Sequence, residues 1–305
     1  MSALLAATRA GVIRAVCEDG SWSVASTLVD EDVRCLAADD RAVFAGTRDR
    51  GVFRSEDDGR TWTHAGLHGQ RVRSLAVGGG AVYAGTREPR VHASVDEGER
   101  WQPLAQFPAV RRWWWVQPAE KPYRPSYVSA LAVTPHGTIL AGIEACAVIR
   151  SDDGGKSWSG HQRGALRDCH ELHVVGGRVF EAGSGGLAVS DDDGRNWRRP
   201  RAGLDRRYGW SLAVRGEQRY LTVAPYLSAH SGDSKARVYR AHGDGPWERV
   251  TNELASLPRL CATADGDVFA ALGDGTLLRS NDEGRHWDRV PVDLGAPSAA
   301  LLALP

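Results

Sequence analysis

The 305-residue chain has no excess charge of either sign: 38 Lys and Arg stand against 38 Asp and Glu. That balance gives no electrostatic reason to expect nucleic acid or an anionic membrane as a partner. Cysteine is sparse. Cys17, Cys35, Cys146, Cys169 and Cys261 are odd in number and widely spaced, and none forms a C-x-x-C pair. Zinc and redox frameworks are therefore not expected, and a reducing compartment fits. Long apolar runs are missing, so no stretch is suited to span a bilayer. The opening "MSALLAATRAGVIR" has no basic segment ahead of an apolar core and reads poorly as a secretory leader. A convincing helical period is absent as well. The expectation is a soluble, cytoplasmic protein rich in strands.

What the chain does have is a repeat. "SEDDGRTW" (55–62), "SVDEGERW" (94–101), "SDDGGKSW" (151–158), "SDDDGRNW" (190–197) and "SNDEGRHW" (280–287) all fit S-x-D-x-G-x-x-W. Shortened copies end at Trp22 and Trp247. Together they mark seven units with a period near ~40 residues, which is the mark of a propeller. The third unit reads as four strands: "VRSLAV", "AVYAGT", "RVHAS" and "RWQPLA". These are labelled A to D from the centre outward. The N-terminus enters at a strand B, and the C-terminal "SAALLALP" matches a strand A. The predicted fold is all-β: one domain over 1–305, a seven-bladed propeller of four-stranded antiparallel blades. Both chain ends would build one blade and hide the open edges.

The boxes fall on C–D turns. Ser and Asp side chains bond turn amides, Gly takes a positive φ and Trp packs beneath. Glu56 and Asp58 then read as solvated turn residues, since the loops lack the acid density of a calcium site. In sequence these boxes resemble the Asp-box (BNR) repeats of sialidases, sortilin-type receptors, some glycoside hydrolases and photosystem II assembly factors. The resemblance covers almost the whole chain and implies the propeller, not an activity. The F/Y-R-I-P motif of sialidases is absent before the first box, "YRPS" (123–126) lies in the wrong place, and no Tyr/Glu nucleophile pair can be carried over.

If boxes share one face with A–B turns, the D–A and B–C loops share the other, here called the top. Both departures from the period fall there: a D–A insertion at 106–127 and a B–C insertion at 224–237. Trp113, Trp114 and Trp115 in the first read as a lid or as packing. Arg9, Arg48 and Arg87 occupy equivalent B–C positions in three consecutive blades, and Glu144 takes that position in the fourth. At the start of strand A stand Arg34, Arg73, Ser129, His170, Trp210 and Arg259 in turn. Arginines around one concavity suit a carboxylate or phosphate, and the bland alternative is pairing with local acids. Across the ring lie Glu144 in an apolar setting, His170, Glu171, Glu181, Tyr208, Trp210, His230 and Lys235.

Two functions compete. In the first, a small-molecule enzyme holds an anionic substrate (a carboxylate, phosphate or sugar acid) with Arg9, Arg34, Arg48, Arg73, Arg87, Trp114, Trp210 and His230. Glu144, His170 and Tyr208 then supply acid/base chemistry of hydrolase, lyase or isomerase type. In the second, the propeller is a non-catalytic protein-docking scaffold. No cofactor is expected. The alternative is a divalent metal held through His170, His173, Glu171 or His230. A closed ring needs no partner, so a monomer is expected.

Overall fold

In the computed structural model, residues 3–107, 126–229 and 232–304 are described. Seven antiparallel sheets follow one another around a ring, forming a seven-bladed β-propeller. Blade one contains Ala300–Ala303, Ala3–Thr8, Gly11–Glu18 and Ser21–Thr27 as strands A to D. In blade two the strands are Val33–Ala38, Val43–Thr47, Val52–Ser55 and Thr63–His64. Blade three follows with Arg71–Gly78, Ala81–Arg87, Arg90–Ser94 and Gln102–Pro103. Blade four has Val128–Val133, Ile139–Ile143 and Ala147–Ser151, and blade five Cys169–Val175, Arg178–Gly183 and Gly186–Ser190. Tyr208–Arg215, Gln218–Ala224, Arg237–His242 and Glu248–Arg249 make blade six. Arg259–Ala262, Val268–Ala271, Thr276–Ser280 and Asp288–Asp293 make blade seven. Among the described residues the one helix is a single 3-10 turn, Tyr226–Ser228, and no helix is long and apolar enough to cross a membrane.

The ring closes as its sequence predicts. Ala300–Ala303 pairs with Ala3–Thr8, Leu4 opposite Ala303 and Ala7 opposite Ala300. The outermost position departs from four full strands in blades four and five. There strand D shrinks to local pairings: Ser159 N–H donates to Arg150 O (2.8 Å), and Val189 and Arg198 exchange bonds of 2.8 and 2.9 Å. The outer strand has a partner on one side only and faces solvent, so little holds it in a long ladder.

Between blades the core is close-packed. Strand B is buried along its whole length in blades two and four, because each blade is covered on both faces. Gly46, Gly85 and Gly142 occupy one position of strand B. A Cβ there would lie 2.6 Å from Val72 Cγ1, 2.6 Å from Val128 Cγ1 and 2.5 Å from Cys169 Sγ respectively. The "AG" pairs of the sequence are therefore where the next blade's strand A closes in. All five cysteines are free thiols.

The boxes are turns on the bottom face. Ser55 Oγ donates to Asp57 Oδ1 (2.7 Å) and accepts from Gly59 N–H (2.8 Å), and Asp57 Oδ1 accepts Thr61 N–H (2.9 Å). The Ser–Gly bond is 2.8 Å in the other four copies as well. Burial works against the Asp57 charge, but these donors outweigh it and hold the carboxyl near a pKa of about 2. Gly59 takes φ +79°, as expected, and Asp58 before it is also left-handed at +58°. Glu56 is an exposed partner of Arg54 at 2.6 Å. Two of the box tryptophans reach across to the previous blade: Trp62 Nε1 donates to Thr27 Oγ1 (3.1 Å) and Trp101 Nε1 to Ala65 O (2.7 Å), whereas Trp197 and Trp287 donate to Gly194 O and Gly284 O of their own boxes.

Candidate functional site

Strand A carries a repeated irregularity at its top end. The register with strand B slips between Val33 and Cys35, Val72 and Ser74, Val128 and Ala130, Cys169 and Glu171, and Gly209 and Ser211. The residue left unpaired each time is Arg34, Arg73, Ser129, His170 or Trp210. A bulge leaves a residue out of the ladder and re-aims its side chain. The residues grouped by sequence position are thus the bulge residues of five consecutive blades. Arg259 does not belong with them: it pairs directly with Ala271, and the unbulged register places it level with Glu171 and Ser211.

The arginines divide into two groups. Arg34 pairs with Asp32 at 2.6 Å, and half-exposed Arg48 reaches the same carboxylate at 3.5 Å. Arg9 is exposed on its turn. These three follow the local-acid alternative or face solvent. Arg73 and Arg87 instead converge, their guanidinium carbons lying 4.2 and 4.7 Å from the centre of the Tyr127 ring. Arg87 is buried. Cations over a π face attract it electrostatically.

Tyr127 leads into the centre of the site. Its side chain hydrogen-bonds Glu144. Glu144, Asp168 and His170 then converge, one ligand-type atom of each lying within 4.8 Å of the others. His170 is held on both ring nitrogens. Nδ1–H donates to Gly209 O (2.6 Å), and Nε2 faces Tyr208 OH (3.2 Å) and Asp168 Oδ2 (3.4 Å). Asp168 also accepts Ala145 N–H (3.0 Å) and the Ser184 hydroxyl (2.6 Å). Aromatic rings wall this group: His170 packs 4.8 Å from Tyr208 and 5.0 Å from Trp210, and exposed Tyr226 stands edge-on to Tyr208 at 5.7 Å.

Charge states differ sharply within this small volume. Burial pushes Glu144 up to about 6; Asp168 adds to the rise, while His170, the Tyr127 hydrogen bond and Arg73 oppose it. Burial also works against the Asp168 charge, but His170, Ser184 and the Ala145 amide hold it down near 2. For His170, burial favours the neutral ring; the Asp168 hydrogen bond and charge, the Glu144 charge and the Gly209 carbonyl prevail and raise it. The Tyr208 hydroxyl is raised by burial and by both carboxylates. Carboxyl groups pushed apart in this way suit different proton roles.

Glu171 and His173 lie elsewhere. They share a face, as the alternation of a strand requires, and meet at 3.3 Å. Glu171 further accepts Leu212 N–H (2.7 Å), the Ser211 hydroxyl (3.0 Å) and Arg259 Nη1 (2.7 Å). Arg259 in turn stacks 4.2 Å over Trp210. This carboxylate ties blades five, six and seven together. Of the described residues of the expected metal set, His170 alone belongs to the convergent group. Glu181 is fully buried, away from the channel, and accepts Leu166 N–H at 2.8 Å. Trp113, Trp114, Trp115 and His230 lie outside the described residues.

Sequence reading overlooked Asp168 and Tyr127. A signal was present: each stands two residues before a bulge residue, as do Asp32, Arg71 and Tyr208. In blades four and five the residue at that position reaches the site: Tyr127 hydrogen-bonds Glu144 and Asp168 faces His170.

No protein-family model matches this sequence, and neither does any curated protein. Solved structures do. An ancestral GH74 enzyme is 17% identical with a TM-score of 0.62, over 89% of this chain and 38% of that one. YCF48 bound to D1 peptide is 15% identical with a TM-score of 0.61, over 89% of this chain and 92% of that one. YCF48 from Cyanidioschyzon merolae is 13% identical with a TM-score of 0.63, over 89% and 94%. The chain thus spans well under half of the GH74 enzyme and nearly all of YCF48. At these identities the likeness is one of fold.

Proposed function

We propose that the top centre of the propeller is the reacting site of a small-molecule enzyme for an anionic substrate. Arg73 and Arg87 hold the anion, and Glu144, His170 and Tyr208 exchange protons beside it. Asp168 orients His170. The observation that carries this reading is the convergence of Glu144, Asp168 and His170 under Tyr208, next to two guanidiniums on one tyrosine ring. A purely structural top face has no need of a buried, doubly held histidine between two carboxylates. The bulges support the reading, since such irregularities re-aim side chains next to active sites. Hydrolase and lyase chemistry both suit this set of proton donors and acceptors.

The test is conversion. Carboxylated, phosphorylated and sugar-acid compounds are incubated with the protein and followed by mass spectrometry. The wild type is expected to convert members of one class. Glu144→Gln, which keeps shape and removes the proton, is expected to lower kcat by about 100-fold or more while the same compound still binds. Conversion unchanged in Glu144→Gln overturns the assignment.

A scaffold reading has one observation in its favour: the chain matches YCF48 over nearly its whole length, and one such structure holds a peptide. On that reading no compound is converted, and an extended peptide binds in a manner sensitive to Arg73→Ala and Arg87→Ala.

A further inference from the structure

We propose that Glu144, Asp168 and His170 form a site for one divalent transition-metal ion, Zn2+ or Mn2+, with Tyr208 beside its open position. The proposal rests on the reading of this centre as a reacting site and deepens it. Arg73, Arg87 and Tyr208 keep their roles, and Glu144 and His170 act as ligands when the ion is bound.

Geometry supplies the first argument. The three ligand-type atoms lie within 4.8 Å of one another, and His170 Nε2 is 3.4 Å from Asp168 Oδ2. Metal–ligand bonds near ~2.1 Å at tetrahedral angles put neighbouring ligand atoms about 3.4 Å apart. The imidazole and one carboxylate already have that spacing, and the Glu144 carboxylate lies within 4.8 Å of both.

The outer partners supply the second. A ligating histidine characteristically donates its other N–H to a carbonyl or carboxylate, which fixes the tautomer and aims the lone pair. His170 Nδ1–H does this to Gly209 O at 2.6 Å, leaving Nε2 for the ion. Asp168 is fixed likewise by Ala145 N–H and the Ser184 hydroxyl. Ring and carboxylate are therefore held in place from behind.

Charge supplies the third. A ligating histidine is neutral, so with an ion in place Glu144 and Asp168 contribute the two negative charges that a divalent cation cancels. Mixed nitrogen and oxygen donors suit zinc and manganese better than calcium, which takes six to eight oxygens. Three protein ligands leave room for a water or a substrate oxygen, and Tyr208 OH, 3.2 Å from His170 Nε2, is placed to hydrogen-bond it.

Calorimetric titration of the chelator-dialysed full chain with Zn2+ and then Mn2+ tests this directly, together with the melting temperature. The expected result is one ion per chain and a raised Tm, with affinity lowered at least about tenfold in Asp168→Asn and Glu144→Gln and abolished in His170→Ala. Tyr208→Phe keeps the stoichiometry. Circular dichroism checks that each variant is folded, and Glu144→Gln, nearly isosteric, remains informative if His170→Ala is not. No ion bound, or binding unchanged in Glu144→Gln and Asp168→Asn, overturns the metal site. Loss of the metal with anion binding intact at Arg73 and Arg87 leaves proton transfer by Glu144 and His170 standing. A bound ion with no anion binding removes the enzyme reading and keeps the metal.

Discussion

Ser55 and Asp57 show how little of a residue's role is visible in its type. Three acids in eight positions suggest chemistry, yet Ser55 Oγ and the Asp57 carboxylate spend their hydrogen bonds on Gly59, Thr61 and each other. Ser55 is buried. Its replacement by Ala leaves the Gly59 amide unpaired, so Ser55→Ala is expected to cost about 1–3 kcal/mol in chemical denaturation, with any activity unchanged. Glu181 makes the opposite point. Burial pushes its carboxyl up to about 8, against the Leu166 amide, Arg199 and Cys169. Its folded value lies above its unfolded one, so its contribution is complete below about pH 4.5 and is lost as pH rises toward 8. Glu181→Gln is expected to flatten that part of the stability curve, read as the difference in Tm between variant and wild type from pH 5 to 8. A wild-type and variant pair with parallel curves would contradict it. Both roles were legible only in part: the repeat exposed Ser55 as a turn residue, whereas nothing in "RVFEAG" separates an inward-facing Glu181 from a channel-facing one.

At the scale of the element, the bulged strand A decides where side chains go. Its sequence position was readable because Arg34, Arg73, Ser129, His170 and Trp210 recur at one place in the repeat. The bulge itself was not readable, since a register slip depends on pairing partners far along the chain. That is why Arg259 looked like a member of the ring and instead sits one level deeper. It is also why Asp168 and Tyr127, two positions earlier, were overlooked. The deeper level is a staple between blades. Glu171→Leu removes the acceptor for Leu212 N–H and Ser211 and strands the Arg259 charge. A loss of about 2–4 kcal/mol is expected by urea unfolding, below the fully buried range because both side chains keep some contact with solvent. Stability within about 0.5 kcal/mol of wild type would contradict the staple.

For the whole molecule, the seven-fold repeat made the propeller legible from sequence, and ring closure followed from which strand each terminus resembled. Truncation after Ser298 removes Ala300–Ala303, exposes the edge of Ala3–Thr8 and opens the ring between blades seven and two. Loss of cooperative unfolding and aggregation are the expected results. The site was less legible because it is assembled from blades three to six, whose contributions meet only once the ring is closed. Arg73 and Arg87 come from one blade, Tyr127 and Glu144 from the next, and Asp168, His170 and Tyr208 from the two after. The functional account depends on the proposal that the propeller's centre brings them within reach of one small molecule. A thermal-shift panel of small carboxylates, phosphates and sugar acids tests it most directly, run on the wild type and on Arg73→Ala and Arg87→Ala. The account predicts that one class of anion raises the wild-type Tm and that the shift disappears in both variants. No anion stabilising the wild type, or the same shift in all three proteins, would contradict it.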